Sequence, residues 1–203
     1  MSSRLFVRFE LMNNPSHTIL YLSILVWLLP PLRQYKTFFF SYFLVLGIAD
    51  VISVLLMKFF QTSSYDFYVI VSFCLFITLQ KIEYVKKKKM IFIGLGLIVI
   101  CLSFFRMETN QYIILIAVLH LMIIFRILYL FVMAVAQKQA INFFYLVLAF
   151  YEFTVLLKFL NYLFPLNVDA HAYFYITTGF ELLVGIFFTT FREDSPKLVY
   201  KLK

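Results

Sequence analysis

The stretch Gln111 to Gln137, QYIILIAVLHLMIIFRILYLFVMAVAQ, constrains this chain most, because it sets His120 and Arg126 inside an apolar run long enough to cross a bilayer. A guanidinium keeps its proton in any protein environment, so Arg126 at that depth requires a carboxylate, a set of carbonyls or a water-filled cavity. Asp50, Glu152 and Glu181, each near the centre of its own apolar segment, are the candidate partners.

The rest of the chain has the same character. Of 203 residues, 64% are hydrophobic, 21% aromatic and 14% charged, whereas a soluble domain carries about 25% charged residues. A soluble fold would have no surface on which to place so much Phe, Leu and Ile. The expected class is all-α, a polytopic transmembrane helical bundle. The net charge of +8 does not point to nucleic acid, because Lys and Arg cluster at segment ends, where they meet anionic headgroups. Cys74 and Cys101 fall inside apolar segments and are expected to pack as small hydrophobes, with no disulfide. The first 15 residues, MSSRLFVRFELMNNP, are interrupted by Arg8 and Glu10 and do not read as a signal peptide, so the first apolar run is expected to remain in the protein.

Seven apolar segments are predicted: 15–32, 37–60, 65–84, 90–105, 111–136, 140–164 and 170–191. The first and fourth are short, and the count falls to six if one of them does not span. Pro30 and Pro31 are expected to end the first; Gln61 to Ser64, Lys86 to Lys89, Arg106 to Asn110 and Pro165 to Asp169 are polar or charged breaks. The connections are too short for a soluble domain, so residues 1–203 read as one transmembrane unit without internal repeats. If the segments alternate, 12 basic residues fall on one side, 5 on the other and Arg126 between them. The basic side should be cytoplasmic, which puts the N-terminus outside and the C-terminus inside a bacterial inner membrane.

Depth and helical spacing then gather the polar groups. Asp50, Glu152 and Glu181 lie near the midpoints of segments two, six and seven, and His120 and Arg126 bracket the midpoint of segment five. Gly47, Asp50 and Ser53 share one helical face, as do Thr177, Thr178, Glu181, Gly185 and Thr189; Tyr151, Thr154, Lys158 and Asn161 form a stripe beside Glu152. The expectation is an intramembrane cluster of Asp50, His120, Arg126, Glu152 and Glu181 enclosed by segments two, five, six and seven, with at least one carboxyl protonated at neutral pH. The bland alternative is buried ion pairs that only fix packing. Lys58 and Lys158 read as snorkelling residues, and Trp27, Tyr84, Tyr112, Tyr162 and Tyr173 as an interfacial belt. His17 and His171 lack a third ligand, so no metal is expected. Lys86, Lys87, Lys88 and Lys89, with the tail REDSPKLVYKLK, offer a cytoplasmic surface for anionic lipid or a protein partner.

Missing residues narrow the chemistry. The last segment has no Lys for a retinal Schiff base, and the chain has no His-Glu-x-x-His, no Gly-x-Ser-x-Gly and no Gly-rich phosphate loop. No cofactor is expected. The stretch LLPPLRQYKTFFFSYFLVLGIADVISVLL, Leu28 to Leu56, resembles a group of small uncharacterised bacterial inner-membrane proteins with seven predicted helices, in which a Leu-Pro, a basic turn and an Asp in the second helix recur. A fainter likeness is to lysoplasmalogenase-type membrane hydrolases: Asp50 follows Gly47-Ile-Ala where that family has Gly directly before Asp, and Tyr151-Glu152 stands where it has Ser-Asp. That resemblance implies Asp50 and Glu152 as general acid and base on a vinyl ether lipid. Without an output domain or catalytic motif, the leading expectation is a non-enzymatic sensor-like protein or accessory subunit of a membrane complex. Its partners would be lipids and another membrane protein. A proton or small-solute transporter and the lipid hydrolase are the alternatives.

Overall fold

The computed structural model describes residues 15–60, 65–80, 82–104, 108–164 and 170–201. The helices in chain order are α1 (Pro15–Trp27), α2 (Leu29–Arg33), α3 (Phe40–Phe60), α4 (Tyr65–Thr78), α5 (Ile82–Lys87), α6 (Lys89–Phe104), α7 (Thr109–Lys138), α8 (Phe143–Leu163) and α9 (Ala170–Thr190). Among the described residues, Thr109–Lys138, Phe143–Leu163 and Ala172–Thr190 are long and apolar enough to cross a membrane. Four shorter apolar helical stretches, Thr18–Arg33, Phe40–Leu56, Tyr65–Thr78 and Lys89–Val99, fall on the remaining apolar segments of the sequence. Many large apolar side chains point outward, among them Leu25, Leu32, Phe59, Phe125, Ile176 and Leu183, each more than 60% exposed. A surface of that kind suits hydrocarbon and not water.

Packing closes six helices into a ring. α7 lies along α8 and against α4; α4 meets α3, α3 meets α1, and α1 meets α9. α9 returns to α8, although these two approach each other little, and α6 packs outside the ring on α4. Two glycines permit the closest approaches. A Cβ on Gly47 would stand 2.6 Å from the Trp27 carbonyl oxygen, and one on Gly185 would stand 2.7 Å from Val26 Cγ1, so α1 is wedged between α3 and α9.

Several boundaries differ from the sequence expectation for local reasons. The first segment breaks at Leu28, and Pro30 and Pro31 occupy the opening of α2 instead of ending a helix; proline fits a first turn, where its missing N–H is not needed. The third segment stops at Thr78, whose hydroxyl donates back to the Leu75 carbonyl at 2.7 Å, and α5 starts anew after the turn. The sixth begins with a strand. Gln139 is left-handed with φ 46° and ends α7, while Asn142 caps α8 by accepting the Phe144 N–H at 3.0 Å. The three residues that follow Gln139 are extended, and as β1 (Ala140–Asn142) they pair antiparallel with β2 (Val199–Lys201), a small sheet in an otherwise helical fold. Trp27 and Tyr112, expected in an interfacial belt, are 2% and 6% exposed and belong to the core. Cys74 is a free, half-buried thiol. The side chains of His17, Tyr84, Cys101 and His171 lie outside the described residues.

One end of the ring is sealed. Phe39, Phe43, Phe144 and Phe188 are fully buried and pack on one another in tilted and edge-to-face contacts. Beneath them Gln34, also fully buried, donates to the carbonyls of Phe188 and Phe191 at 3.1 and 2.8 Å and accepts the Glu193 N–H at 3.1 Å. Glu193 accepts from the Phe38 N–H and the Tyr145 hydroxyl, and its carbonyl accepts from Asn142 Nδ2. The tail is therefore folded under the bundle, with Leu198 buried. Its exposed lysines, Lys197 and Lys201, share this end with Arg33, Lys36 and Lys138, while Lys86 to Lys89 are exposed where α5 meets α6.

Candidate functional site

The ring encloses a cavity of about 980 Å³. Its wall combines polar side chains (Ser23, Asp50, Ser53, Ser72, His120, Lys158, Asn161, Thr177, Thr178 and Glu181) with the rings of Tyr65, Tyr68, Tyr151, Phe159, Tyr162, Tyr173 and Phe174. Tyr65, Tyr162 and Tyr173 sit at helix ends next to residues 61–64 and 165–169, so the cavity starts at the end opposite the Gln34 layer. Glu181 lies eleven residues into α9, about 16 Å down its axis at 1.5 Å per residue. The cavity thus reaches the middle of the bundle.

Two ion pairs form at that depth. Lys158 Nζ and Glu181 Oε1 are 2.5 Å apart and bridge α8 to α9 where those helices separate. Lys158, expected to snorkel outward, instead turns into the bundle. His120 Nδ1 lies 2.6 Å from Glu152 Oε2, with Glu152 fully buried behind the wall, and the imidazole stacks on Phe159. Tyr42 donates to the other Glu152 oxygen. On the cavity side, His120 Nε2 is 3.2 Å from Ser72 Oγ, and the Ser72 hydroxyl donates to the Tyr68 carbonyl at 2.7 Å. Because Ser72 has given away its only hydrogen, Nε2 must donate to it. Nδ1 then faces Glu152 either as a second N–H donor or as acceptor from a protonated carboxyl. In both cases the pair is neutral and holds one shared proton.

Asp50 stands apart from both pairs. Its hydrogen bond is a long one from the Tyr68 hydroxyl, 3.4 Å, and it belongs to none of the ion pairs among the described residues. Lys158 and Glu181 lie within electrostatic reach of it. One helical turn along the same face, Ser53 Oγ is buried on the cavity wall with no hydrogen-bond partner of ordinary geometry.

Of the five residues expected to cluster, four are brought together: Asp50, His120 and Glu181 on the wall and Glu152 directly behind it. Arg126 is not among them. Its Nε donates to the Leu79 carbonyl at 3.1 Å and its guanidinium lies 5.2 Å from the Tyr129 ring centre, half-buried beside the C-terminal end of α4. The early stop of α4 supplies that acceptor, because the last carbonyls of a helix are unpaired and carry the negative end of its dipole. The cation is met by carbonyl and ring, not by a carboxylate. Asp50 and Glu152 do not share a substrate-facing wall either, since Asp50 lines the cavity and Glu152 does not. Among the described residues no group of His, Cys, Asp and Glu is arranged to hold a metal ion. Tyr42 and Tyr68, which complete the hydrogen bonding, were not singled out by sequence, because a tyrosine in a membrane-like segment reads as an interfacial residue. No family model matches the chain, and no curated protein or solved structure matches it either.

Proposed function

We propose that the chain is a multi-pass protein of a bacterial inner membrane, with seven spans, the N-terminus outside and the C-terminus cytoplasmic. On this reading it acts as a sensor-like protein or accessory subunit that takes up a small molecule from the outer side. The orientation rests on the excess of Lys and Arg at the end closed by Gln34 and the tail.

The observation that carries the reading is a cavity lined by polar groups from six helices and stopped on the inner side by interlocked, fully buried aromatic rings. A blind cavity supports binding over passage. Occupancy would be read through the wall. Tyr151 lines the cavity and packs 4.6 Å from Trp27, which touches the Phe188 ring of the aromatic layer, and Phe188 in turn offers its carbonyl to Gln34. Anionic lipid and a second membrane protein are the proposed partners of the lysine-rich inner face.

A proton or small-solute transporter is the second reading, favoured by the hydrogen-bonded series Ser72, His120, Glu152 and Tyr42 that leads from the cavity into the core. Two preparations separate the readings. Protein extracted gently from its own membrane should bring a membrane protein with it, and the purified chain in liposomes should take up no protons. Proton uptake that disappears in Asp50→Asn, with no co-purifying protein, would replace the sensor reading by transport.

A further inference from the structure

We infer that the cavity binds a protonated amine carried on an apolar or aromatic body, with the Asp50 carboxylate as its counter-ion. This rests on the ligand-binding reading above and names the chemical class of the ligand.

The argument is a charge count. The cavity and the wall behind it hold four carboxylate, imidazole or ammonium partners joined as two neutral pairs, Lys158 with Glu181 and His120 with Glu152. Asp50 is the remaining acid, and no Lys, Arg or His on the cavity wall is free to neutralise it. Its hydrogen bond from Tyr68 is long, so most of the carboxylate's acceptor capacity is unused. An unpaired carboxylate in an apolar interior is costly, and an arriving cation relieves that cost where a neutral or anionic guest does not.

The surroundings favour an ammonium over a bare metal ion. Ser53 Oγ, 1% exposed and with no hydrogen-bond partner of ordinary geometry, lies one turn from Asp50 on the wall and can accept a second N–H. Rings of Tyr68, Tyr151 and Phe159 line the same depth, and aromatic faces attract alkylammonium groups. No group of acids and histidines among the described residues offers metal coordination. The volume exceeds that of a single small ion and matches the range of organic-ligand pockets, about 300–1,000 Å³.

The test uses the full chain in lipid nanodiscs and three probes of one skeleton: 4-phenylbutylamine, 4-phenylbutanol and 4-phenylbutyrate. Binding is read by saturation-transfer NMR and by emission of Trp27, the protein's single tryptophan, against empty nanodiscs. The amine is expected to bind roughly tenfold or more tightly than the other two, the gain of one charge-assisted contact. Asp50→Asn should erase that preference and Asp50→Glu should retain it. Equal binding of amine and alcohol overturns the inference, as does an amine preference that survives Asp50→Asn. Preferential binding of the butyrate, lost in Lys158→Met, overturns it too and leaves the cavity reading standing. If none of the three binds, both fall. The ranking of the probes on the unmodified protein decides the matter even if a variant does not fold.

Discussion

Lys158 Nζ and Glu181 Oε1 meet at 2.5 Å across the gap between α8 and α9, so a salt bridge closes the ring where backbone packing does not. Both side chains are partly screened, at 24% and 19% exposure. Removing the ammonium alone strands Glu181. Lys158→Met is expected to lower stability by about 2 kcal/mol, less than a fully buried pair would lose, and Lys158→Met with Glu181→Gln should recover part of it. Thermal unfolding of the single and double variants in one detergent measures the coupling; additive losses would show that the bridge does not hold the ring.

Glycines give a sharper packing prediction. Gly47→Ala drives a Cβ to 2.6 Å from the Trp27 carbonyl, a backbone atom that cannot step aside, and should cost about 1–3 kcal/mol. Gly94→Ala meets nothing within 4 Å and should be neutral or slightly stabilising through helix propensity. Equal melting temperatures for the two variants would contradict the close approach of α1 and α3.

Arg126 behaves as a helix-end cation and not as a member of the cavity. Arg126→Leu should therefore leave ligand binding unchanged and cost no more than about 1 kcal/mol, the worth of a partly exposed contact to a helix C-terminus. A loss of binding in this variant, with the fold intact by circular dichroism, would return Arg126 to the site.

The tail carries a pH dependence. Burial holds the Glu193 carboxyl above its ordinary range, against the opposing effect of its hydrogen bonds from Tyr145 and Phe38. The folded form then keeps its proton where the unfolded chain has lost it, so stability contributed here is greatest at low pH and declines as pH rises through the folded value. Glu193→Gln should flatten that decline while keeping the amide as a partner. Proteolysis of the tail against pH reads it; protection that increases with pH in the unmodified protein would reverse the sign.

Much of this was legible in the chain because a membrane-like interior makes polar residues conspicuous. Asp50, His120, Glu152 and Glu181 stand out in apolar runs, and of the stripe Tyr151, Thr154, Lys158 and Asn161 all but Thr154 line the cavity. Lys158 departs from the snorkelling expectation because its place near a helix end allows either direction, and only the gap beside α9 turns it inward. The partner of Arg126 was hidden for a different reason. α4 ends at Thr78 with no proline or glycine to mark it, so the free Leu79 carbonyl leaves no trace in the sequence. Gln34 is likewise an ordinary loop residue until the tail folds over it.

The central claim is that a polar cavity opens to the outer side and stops at the aromatic layer. Cysteine accessibility tests it directly, using Ser53→Cys on a background with Cys74→Ala and Cys101→Ala in intact spheroplasts. The account predicts labelling of position 53 by a membrane-impermeant thiol reagent from the outside, with no labelling of Leu55→Cys, which faces outward from the ring. Labelling only after the inner face is exposed, or none at position 53 in folded protein, would contradict it.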